Sequence, residues 1–360
     1  FATNSGEHAM STHTDTMSHA IQQSMQAIFP QAGARIARLY QMQEYHLGWR
    51  NETLEPALSD SGKLLRPRLA ILACQSVGGS MEQVLPLAAG IQLFHDFSLL
   101  HDDIQDVSPT RRGRATVWNV WGIAHAITAG DSLLALAHLA VHRLRAAGLS
   151  AASTLDVLHW FDETILAVCE GQYLDCSYEG KLDISEDDYL AMIRRKTASL
   201  IGTASGLGAL IGGAAPDVVQ AFHQVGLLLG MAFQVQDDIL GIWGASGITG
   251  KPGTADLERR KVTLPIIRLL RDERYGGDVA RIYKQPGVAA GDVQRLLALF
   301  SATSIQADMR ALVRDMSQAA RDALDAIPEF PSEPAVQARR QFGAMLAELL
   351  PLAQPAMVGG

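Results

Sequence analysis

Residues 99–106 read Leu-Leu-His-Asp-Asp-Ile-Gln-Asp and follow a long apolar run. On an α-helix, Asp102 and Asp106 stack on one face because they are four residues apart, and Asp103 lies beside them. Three carboxylates repel one another, so their placement at the end of an apolar helix is costly unless a cation neutralises them. Alone, such a cluster could equally be a solvated helix end. The stretch predicts a long apolar helix with an acidic, cation-binding end.

A second acidic pair, Asp237-Asp238, ends another apolar run far along the chain, and basic residues follow both acidic stretches. Carboxylate oxygens suit Mg²⁺, which in proteins often bridges carboxylates to the oxygens of a phosphate group. Two such clusters facing each other among Arg and Lys side chains would suit Mg²⁺ ions that bridge a diphosphate. We take this as the working hypothesis for the site.

The composition favours an all-helical fold. Of the 360 residues, 48% are hydrophobic, with many Ala and Leu and little of the alternation typical of strands. We find no internal repeat and no long linker, which predicts a single all-helical domain over residues 14–360. Within it, Gly130-Asp131 is expected to interrupt a helical region over residues 116–145. The net charge of −8 and the lack of a basic stripe with aromatic residues argue against a nucleic-acid partner.

The N-terminal sequence and the cysteines indicate the cellular compartment of the protein. Residues 1–13 are polar and lack the apolar segment of a signal peptide, so we expect a flexible tail, and Met10 could be the native start. The three cysteines are odd in number and lack metal-ligand spacing. We expect them to be reduced and buried in a cytoplasmic protein. They are Cys74, Cys169 and Cys176.

The longest uncharged run, residues 198–216, is the best candidate in the sequence for a membrane span. It is dense in Gly and Ala and contains Thr203 and Ser205, which are features of a tightly packed core helix. We therefore expect a core helix and no stable membrane insertion.

Basic residues accompany both acidic stretches. Lys63 and Arg66 are three apart and face the same way at a helix start, while Arg111-Arg112 lies in a loop able to fold back over residues 102–106. Arg binds diphosphate oxygens as a two-pronged fork, and Lys supplies a point charge. Each cation alone could be a solvated surface charge, but their fixed order beside two acidic clusters favours a site. The remaining candidates are Lys196, Lys251 and Lys261.

With these motifs in order, the chain resembles the trans-isoprenyl diphosphate synthases from about residue 62 to 265. The matching motifs are GKLLRP at 62–67, DDIQD at 102–106, RRG at 111–113, KT at 196–197, FQVQDD at 233–238, and the stretch from GKP at 250–252 to KVTLP at 261–265. The sequences of residues 95–101 and 237–244 are most similar to those of the actinobacterial geranylgeranyl diphosphate synthase-like branch.

The resemblance implies an all-α bundle around a deep central cavity, a homodimer, and three Mg²⁺ ions per active site, for which Mn²⁺ can substitute. It implies that the metals are held by Asp102, Asp103, Asp106 and Asp237, with Asp238 beside them. It assigns the allylic diphosphate to Arg111, Lys196 and Lys251. It assigns isopentenyl diphosphate to Lys63, Arg66, His95 and Arg112. Thr197 and Gln234 would line the reacting region, and Lys261 would be a further substrate contact.

The sequence departs from the family pattern at one position. The second acidic cluster of the family usually ends in a third aspartate, and here that position is Gly241. The lost carboxylate could weaken the third metal or leave its place to water. Because glycine at this position is familiar in the branch that the chain resembles, we expect it to be tolerated.

These residues imply a short-chain prenyltransferase. Metal ions and cations would let the allylic diphosphate ionise to a carbocation, which the alkene of isopentenyl diphosphate then attacks. Phe97 lies five residues before Asp102, where a growing chain would run, and the next residue, Ser98, is small. We expect this pair to stop the chain near twenty carbons, as geranylgeranyl diphosphate, with the fifteen-carbon farnesyl diphosphate as the alternative.

Three other functions fit parts of the pattern. A class I terpene cyclase would have no use for Lys63, Arg66 and Arg112, because it does not bind isopentenyl diphosphate. A non-catalytic subunit of a synthase would be expected to lack the acidic clusters, which are largely intact here. A synthase of longer polyprenyl chains is disfavoured by the bulk of Phe97.

Overall fold

The computed structural model of the protein describes residues 16–59, 62–244, 254–285, 287 and 289–353. Across these residues almost all regular structure is helical, and the one sheet is a two-stranded hairpin. The prediction of an all-α chain is confirmed.

The helices and strands are numbered here in chain order. They are α1 (16–26), α2 (Ala34–His46), α3 (Leu65–Ser76), α4 (Met81–Gln105), β1 (Thr110–Arg111), β2 (Arg114–Ala115), α5 (Val117–Trp121), α6 (Ile123–His142), α7 (Ala151–Tyr178), α8 (Glu186–Ile193), α9 (Ser199–Ile211), α10 (Pro216–Trp243), α11 (Ala255–Glu258), α12 (Leu264–Arg271), α13 (Gly276–Tyr283), α14 (Ala290–Ser301), α15 (Ile305–Asp325) and α16 (Glu333–Leu349). Short 3₁₀ turns cover Arg143–Arg145 and Pro351–Ala353, and a π-helical turn covers Arg194–Ala198.

The described chain divides into two compact units. The first contains the residues up to Phe161 together with Ala204–Val219 and Glu329–Arg339. The second contains Asp162–Thr203, Gln220–Pro328 and the residues from Arg340 onward. The single domain over 14–360 stays a prediction.

Helix α4 is central to the first unit. It begins at a capping box in which the Gln83 amide N–H donates to the Ser80 hydroxyl at 3.4 Å and the Ser80 amide N–H donates to Gln83 Oε1 at 2.9 Å. Helix α4 packs closely on α6, since a Cβ on Gly90 would lie 2.6 Å from Val141 and 2.9 Å from the Ala137 carbonyl oxygen. This packing holds the acidic end of α4 on a buried framework.

The helical region after residue 116 breaks at a different residue from the one expected. The sequence suggested an interruption at Gly130-Asp131, but α6 runs through Gly130 and the break lies at Gly122, whose φ is +88°. Gly130 is needed for space: a Cβ there would lie 2.3 Å from His101 Nε2. A glycine inside a helix can therefore mark close packing rather than a helix end.

The second unit holds the turn that carries Lys196 and Thr197. Helix α8 begins at a capping box between Ser185 and Asp188 and continues into the π-helical turn. Two glycines allow neighbouring helices to approach that turn. A Cβ on Gly171 would lie 2.3 Å from the Lys196 backbone N, and a Cβ on Gly230 would lie 2.5 Å from the Ala198 Cα. The turn is thus held by backbone contact.

Two helices, Ile123–Arg145 and Pro216–Trp243, are long and apolar enough to cross a membrane by length and composition. The bent pair Gly291–Ser301 and Ile305–Asp325 passes the same test when it is taken as one span. The run at 198–216 is therefore not the best candidate in the described chain, because α9 ends at Ile211 and is too short to span.

The cysteines only partly match the expectation of buried thiols. Cys74 is fully buried, and burial raises its pKa to about 12, but Cys169 and Cys176 are exposed on α7. All three are free thiols. Glu170 follows Cys169 and Asp175 precedes Cys176, and these charged neighbours are the signal in the sequence for their exposure.

Candidate functional site

The first acidic cluster forms the end of α4 in the first unit. Asp102 and Asp103 lie in its last turn, and Asp106 is the C-cap residue, whose backbone N–H donates to the Asp102 carbonyl at 2.8 Å. Asp103 is buried, with 1% of its surface exposed, whereas Asp102 and Asp106 are half-buried. The three carboxyl groups therefore lie on one helical turn at the boundary between core and solvent.

Arg111 spans the first cluster. Its Nε donates to Asp103 Oδ1 at 2.8 Å, and its Nη2 donates to Asp102 Oδ2 at 3.2 Å. Burial raises the pKa of Asp103, and the Arg111 charge offsets that rise only in part. The second oxygen, Asp103 Oδ2, is buried and has no hydrogen-bond partner among the described residues. A buried anionic acceptor of this kind fits a bound divalent cation, since Mg²⁺ prefers carboxylate oxygen.

The local fold explains how Arg111 reaches Asp103. Strands β1 and β2 form a hairpin whose two turn residues, Arg112 and Gly113, have φ values of +50° and +73°. Such left-handed pairs match the twist of a tight two-residue hairpin. The hairpin turns the chain back directly after α4, so that Arg111 comes close to Asp102 and Asp103.

A half-buried cationic group, formed by Arg66 beside His95, lies in the same unit. The Arg66 guanidinium donates to His95 Nε2 at 3.1 Å. Burial lowers the pKa of Arg66 to about 10 and that of His95 well below its usual value. Near pH 7, Arg66 is therefore charged and His95 is neutral. Lys63 is exposed just before α3.

Asp96 joins this group and was not identified from the sequence. Its carboxylate lies 3.9 Å from Arg112 Nη2 and 3.6 Å from His46 Nε2, and it accepts a 2.8 Å hydrogen bond from Gln92. Burial raises the pKa of Asp96, but His46 and Arg112 more than offset this and hold it below its usual value. An acidic residue one turn after Gln92 on an otherwise apolar helix is the signal that could have found it.

The hairpin, the cluster and the cationic group border one pocket in the first unit. Its lining combines a carboxylate, three arginines and a tyrosine ring, over which the Arg114 guanidinium lies at 4.0 Å. The pocket is lined by Tyr45, His46, Asp103, Arg111, Arg112, Arg114, Ala115, Thr116 and Val117.

Phe97 and Ser98, the predicted chain-length pair, lie one helical turn before the acidic end of α4. The Phe97 ring contacts the His101 ring edge-on at 4.7 Å and lies 5.8 Å from the Phe94 ring. The Ser98 hydroxyl donates to the His95 carbonyl at 2.7 Å. Phe97 is half-buried and is held by its neighbours on the same helix.

The second acidic pair lies on α10 in the second unit, where hydrogen bonds hold Asp238. Its carboxylate accepts from the Tyr189 hydroxyl at 2.7 Å and from Gln234 Nε2 at 3.2 Å. Burial raises the pKa of Asp238 well above its usual value, and the negative charges of Asp256 and Asp237 raise it further. Asp238 is thus fixed by protein donors beside two other carboxylates.

Two further predicted residues are tied into this part of the second unit. The Thr197 hydroxyl donates to Gln234 Oε1 at 2.8 Å, which links the π-helical turn to Asp238 through Gln234. Lys196 Nζ lies 2.5 Å from Asp175 Oδ2, a pairing that the sequence did not suggest. The turn that carries Lys196 and Thr197 is therefore oriented by side chains from α7 and α10.

The remaining predicted residues lie at or beyond the end of α10. Gly241 is one turn after Asp237, and the Asp256 carboxylate lies against it. The Lys261 backbone N–H donates to the Asp256 carbonyl at 2.9 Å, and its own carbonyl accepts from the Tyr283 hydroxyl at 3.3 Å. Lys251 lies outside the described residues.

No three His, Cys, Asp or Glu side chains in the described part of the chain are already arranged to hold a metal ion. The two acidic groups instead offer a few oxygens each, with Asp103 Oδ2 buried and unpartnered. Such sites suit Mg²⁺, which keeps several water ligands and shares the oxygens of a phosphorylated substrate.

Comparison with known proteins identifies similar prenyl diphosphate synthases. The family model "Polyprenyl synthetase" matches residues 48–300. A geranylgeranyl diphosphate synthase of Mycobacterium tuberculosis is 40% identical over 260 residues, which cover 72% of this chain and 73% of the relative. A (2E,6E)-farnesyl diphosphate synthase of Mycobacterium bovis is 40% identical over 237 residues, covering 66% of this chain and 64% of the relative.

The fold is similar to that of solved structures. A crystal structure of a polyprenyl synthetase from Streptomyces coelicolor superimposes with a TM-score of 0.83 at 31% sequence identity, covering 95% of this chain and 99% of that one. The helical architecture is thus shared over nearly the full length of both chains.

Proposed function

The chain belongs to the polyprenyl synthetase family, whose members are prenyltransferases, and from this premise we propose that it condenses isopentenyl diphosphate with an allylic diphosphate. The proposed product is geranylgeranyl diphosphate, with farnesyl diphosphate as the alternative, and the two mycobacterial relatives carry these two names. The proposed allylic substrates are dimethylallyl, geranyl and farnesyl diphosphate.

The observation that carries the proposal is the pair of unlike sites in the first unit. The Asp102–Asp103 carboxylates suit a diphosphate bound through metal ions, whereas the half-buried Arg66 and Arg112 suit a second diphosphate bound directly. A condensing enzyme needs both sites because both substrates are diphosphates. A terpene cyclase binds one diphosphate, so the second, cationic group argues against that alternative.

Divalent metal dependence is general in the family. We propose that Asp102, Asp103, Asp106 and Asp237 hold the metal ions, with Asp238 beside them, and that three Mg²⁺ ions bind, with Mn²⁺ able to substitute. When bound, the ions supply positive charge that stabilises the departing diphosphate.

Side chains of this protein would bind and orient the two substrates. Arg111, Lys196 and Lys251 would bind the allylic diphosphate as its C–O bond breaks and its charge grows. Arg66, Arg112, Lys63 and neutral His95 would hold isopentenyl diphosphate, so that its alkene forms the new C–C bond to the allylic carbocation. The proton then leaves from the product cation, with the released diphosphate as its proposed acceptor. The hydrogen-bonded Thr197 and Gln234 would line the reacting region, and Lys261 is proposed as a further substrate contact.

We also propose a homodimer. Helix α6 of the first unit exposes Ile123, Ile127 and Leu139, at 53%, 43% and 55%. In the second unit, α7 exposes Leu166 and Tyr173, at 64% and 72%. Large apolar side chains left in solvent on long helices favour association with a second copy.

We propose a cytoplasmic enzyme without stable membrane insertion. In support, 61% of the apolar window of Pro216–Trp243 is buried within the fold, and this helix carries the acidic pair Asp237-Asp238. The apolar window of Ile123–Arg145 is 39% buried, and we assign its exposed face to the dimer.

The experiment that tests the function is incubation with labelled isopentenyl diphosphate, Mg²⁺ and each allylic starter, followed by chain-length analysis. We expect a twenty-carbon diphosphate as the main product. Conversion of farnesyl or geranylgeranyl diphosphate to a hydrocarbon without isopentenyl incorporation would instead indicate a cyclase. Inactivity with every starter would favour the non-catalytic subunit.

A further inference from the structure

Two neighbouring residues of α4 each contact one arginine of the first unit. Successive residues of an α-helix point about 100° apart, so two neighbours can contact two different side chains. His95 accepts a hydrogen bond from Arg66 of α3, whereas Asp96 faces the hairpin turn, where its carboxylate lies 3.9 Å from Arg112 Nη2. One turn of α4 is therefore in contact with both arginines.

Both oxygens of the Asp96 carboxylate have a defined neighbour. Gln92 Nε2 donates to Oδ2 at 2.8 Å, and His46 Nε2 lies 3.6 Å from Oδ1. The side chains of His46 and Asp96 are only 5% and 2% exposed, so bulk water screens the carboxylate little. In the described part of the chain, Oδ1 accepts no hydrogen bond. Its charge is therefore directed at His46 and Arg112.

The two arginines need this counter-charge because they repel each other. Burial lowers the pKa of Arg66 most, the Asp96 charge opposes that fall, and the Arg112 charge adds to it. The Arg112 guanidinium also lies close to the backbone before α3, since a Cβ on Gly62 would be 2.9 Å from its Nη2. Arg112 thus has a carboxylate and a backbone segment as neighbours that fix its side chain against the repulsion.

We propose that Asp96, backed by His46, is a positioning residue that orients Arg112 toward isopentenyl diphosphate. This inference rests on the proposed function, in which Arg112 and Arg66 bind that substrate. The carboxylate keeps the Arg112 side chain ordered before the substrate arrives, so binding does not have to order it. Ordering one long side chain on binding costs up to about tenfold in affinity.

The direction of the change in affinity separates positioning from a simple effect of charge. Asp96 is an anion near a site for an anion, so removal of its charge would by itself tighten diphosphate binding. Loss of an ordered Arg112 would weaken binding. We expect the second effect to be the larger, because the Arg112 side chain is 23% exposed and can turn into solvent, away from Arg66, once its partner is gone.

The test is a calorimetric titration of isopentenyl diphosphate into the full chain in metal-free buffer. Asp96→Asn keeps the shape of the side chain and removes its charge, and we expect it to weaken binding about three- to tenfold. His46→Gln should weaken binding by a smaller factor, and it replaces Asp96→Asn if that variant folds poorly. Gln43→Met is the matched control on α2, because it removes a buried hydrogen bond to the Ala129 carbonyl outside the cationic group. It should leave the affinity unchanged.

A double-mutant cycle measures whether Asp96 acts through Arg112. In an Arg112→Ala background, Asp96→Asn should change the affinity less than about twofold, because the side chain that it orients is absent. A carboxylate that only stabilises the fold would give the same loss in both backgrounds. In steady-state assays, Asp96→Asn should raise the KM for isopentenyl diphosphate and keep the KM for farnesyl diphosphate within about twofold of wild type.

Three results would overturn the inference. They are unchanged or tighter binding of isopentenyl diphosphate in Asp96→Asn, an equal loss with and without Arg112, and an equal rise in KM for both substrates. Because the titration needs no turnover, the proposed function fails separately, by absence of product from wild-type enzyme. A wild-type chain that does not bind isopentenyl diphosphate would overturn both.

Discussion

Lys196 Nζ lies 2.5 Å from Asp175 Oδ2, so the lysine proposed to bind the allylic diphosphate is already paired with a carboxylate of α7. Both side chains are about one quarter exposed, at 24% and 27%. An incoming diphosphate must compete with Asp175 for the ammonium group or share it. The ion pair therefore sets how much of the Lys196 charge is available to a substrate.

We expect Asp175→Asn to tighten the binding of inorganic diphosphate about fivefold, the equivalent of about 1 kcal/mol for a partly exposed pair. The amide keeps the shape of the carboxylate but removes its charge. Calorimetry in the absence of metal measures the effect, and Asp183→Asn is a control on a neighbouring loop carboxylate. Weaker binding in Asp175→Asn would mean that the carboxylate chiefly orients Lys196.

A second prediction concerns Arg111, which bonds to both Asp102 and Asp103. Arg111→Ala leaves the buried Asp103 carboxylate without its cationic partner. Without divalent metal, the free energy of unfolding should fall by about 1–3 kcal/mol. Added Mg²⁺ should recover part of this loss by replacing the lost positive charge.

Denaturant unfolding with and without Mg²⁺ measures both effects. Arg114→Ala removes a neighbouring arginine that bonds to backbone carbonyls and Ser59 instead of the cluster. Its destabilisation should not respond to Mg²⁺. An Arg111→Ala variant as stable as wild type in metal-free buffer would contradict the prediction.

The half-buried His95 predicts a pH dependence of stability. Burial, and then the Arg66 charge, place the pKa of His95 well below the usual 6.5 in the folded chain. Below pH 6.5 the unfolded chain takes up a proton at His95 that the folded chain does not. The contribution of His95 is therefore fully present above pH 6.5 and is lost as the pH falls below it.

We accordingly expect the free energy of unfolding of the wild type to fall as the pH is lowered from 7.5 to 5.5. The fall should be smaller in His95→Gln. Urea unfolding at the two pH values measures this free energy for both proteins. His142→Gln, at an exposed position of α6, should retain the wild-type slope. Equal slopes in wild type and His95→Gln would exclude this origin.

The last prediction concerns product length. If Phe97 limits the growing chain, Phe97→Ala should shift the product from twenty carbons to longer chains, because removal of the ring opens space one turn before the acidic cluster. Ser98→Ala, which changes little volume, should leave the length unchanged. Chromatography of the products measures the chain length. An unchanged chain length in Phe97→Ala would show that Phe97 does not limit chain growth.

The family assignment and the all-α fold, both predicted from the sequence, are confirmed. The helical placement of Asp102 and Asp103 follows from their spacing, because helical periodicity is a local property. The break at Gly122 was missed for a physical reason. Gly130 gives room to the His101 ring that packs against it, and that ring is 29 residues away in the chain, so its role cannot be read from the local sequence.

The order of motifs, the charges and the helix-forming patterns could be read from the chain alone, since each depends on residues within a few turns of one another. Asp96 beside Arg112, Asp175 beside Lys196, and Asp256 in the space left by Gly241 could not. Each of these contacts joins residues 15 to 21 positions apart, and it forms only when helices pack in one register. Local patterns thus specify which groups are present, whereas tertiary packing selects the partner that each charge meets.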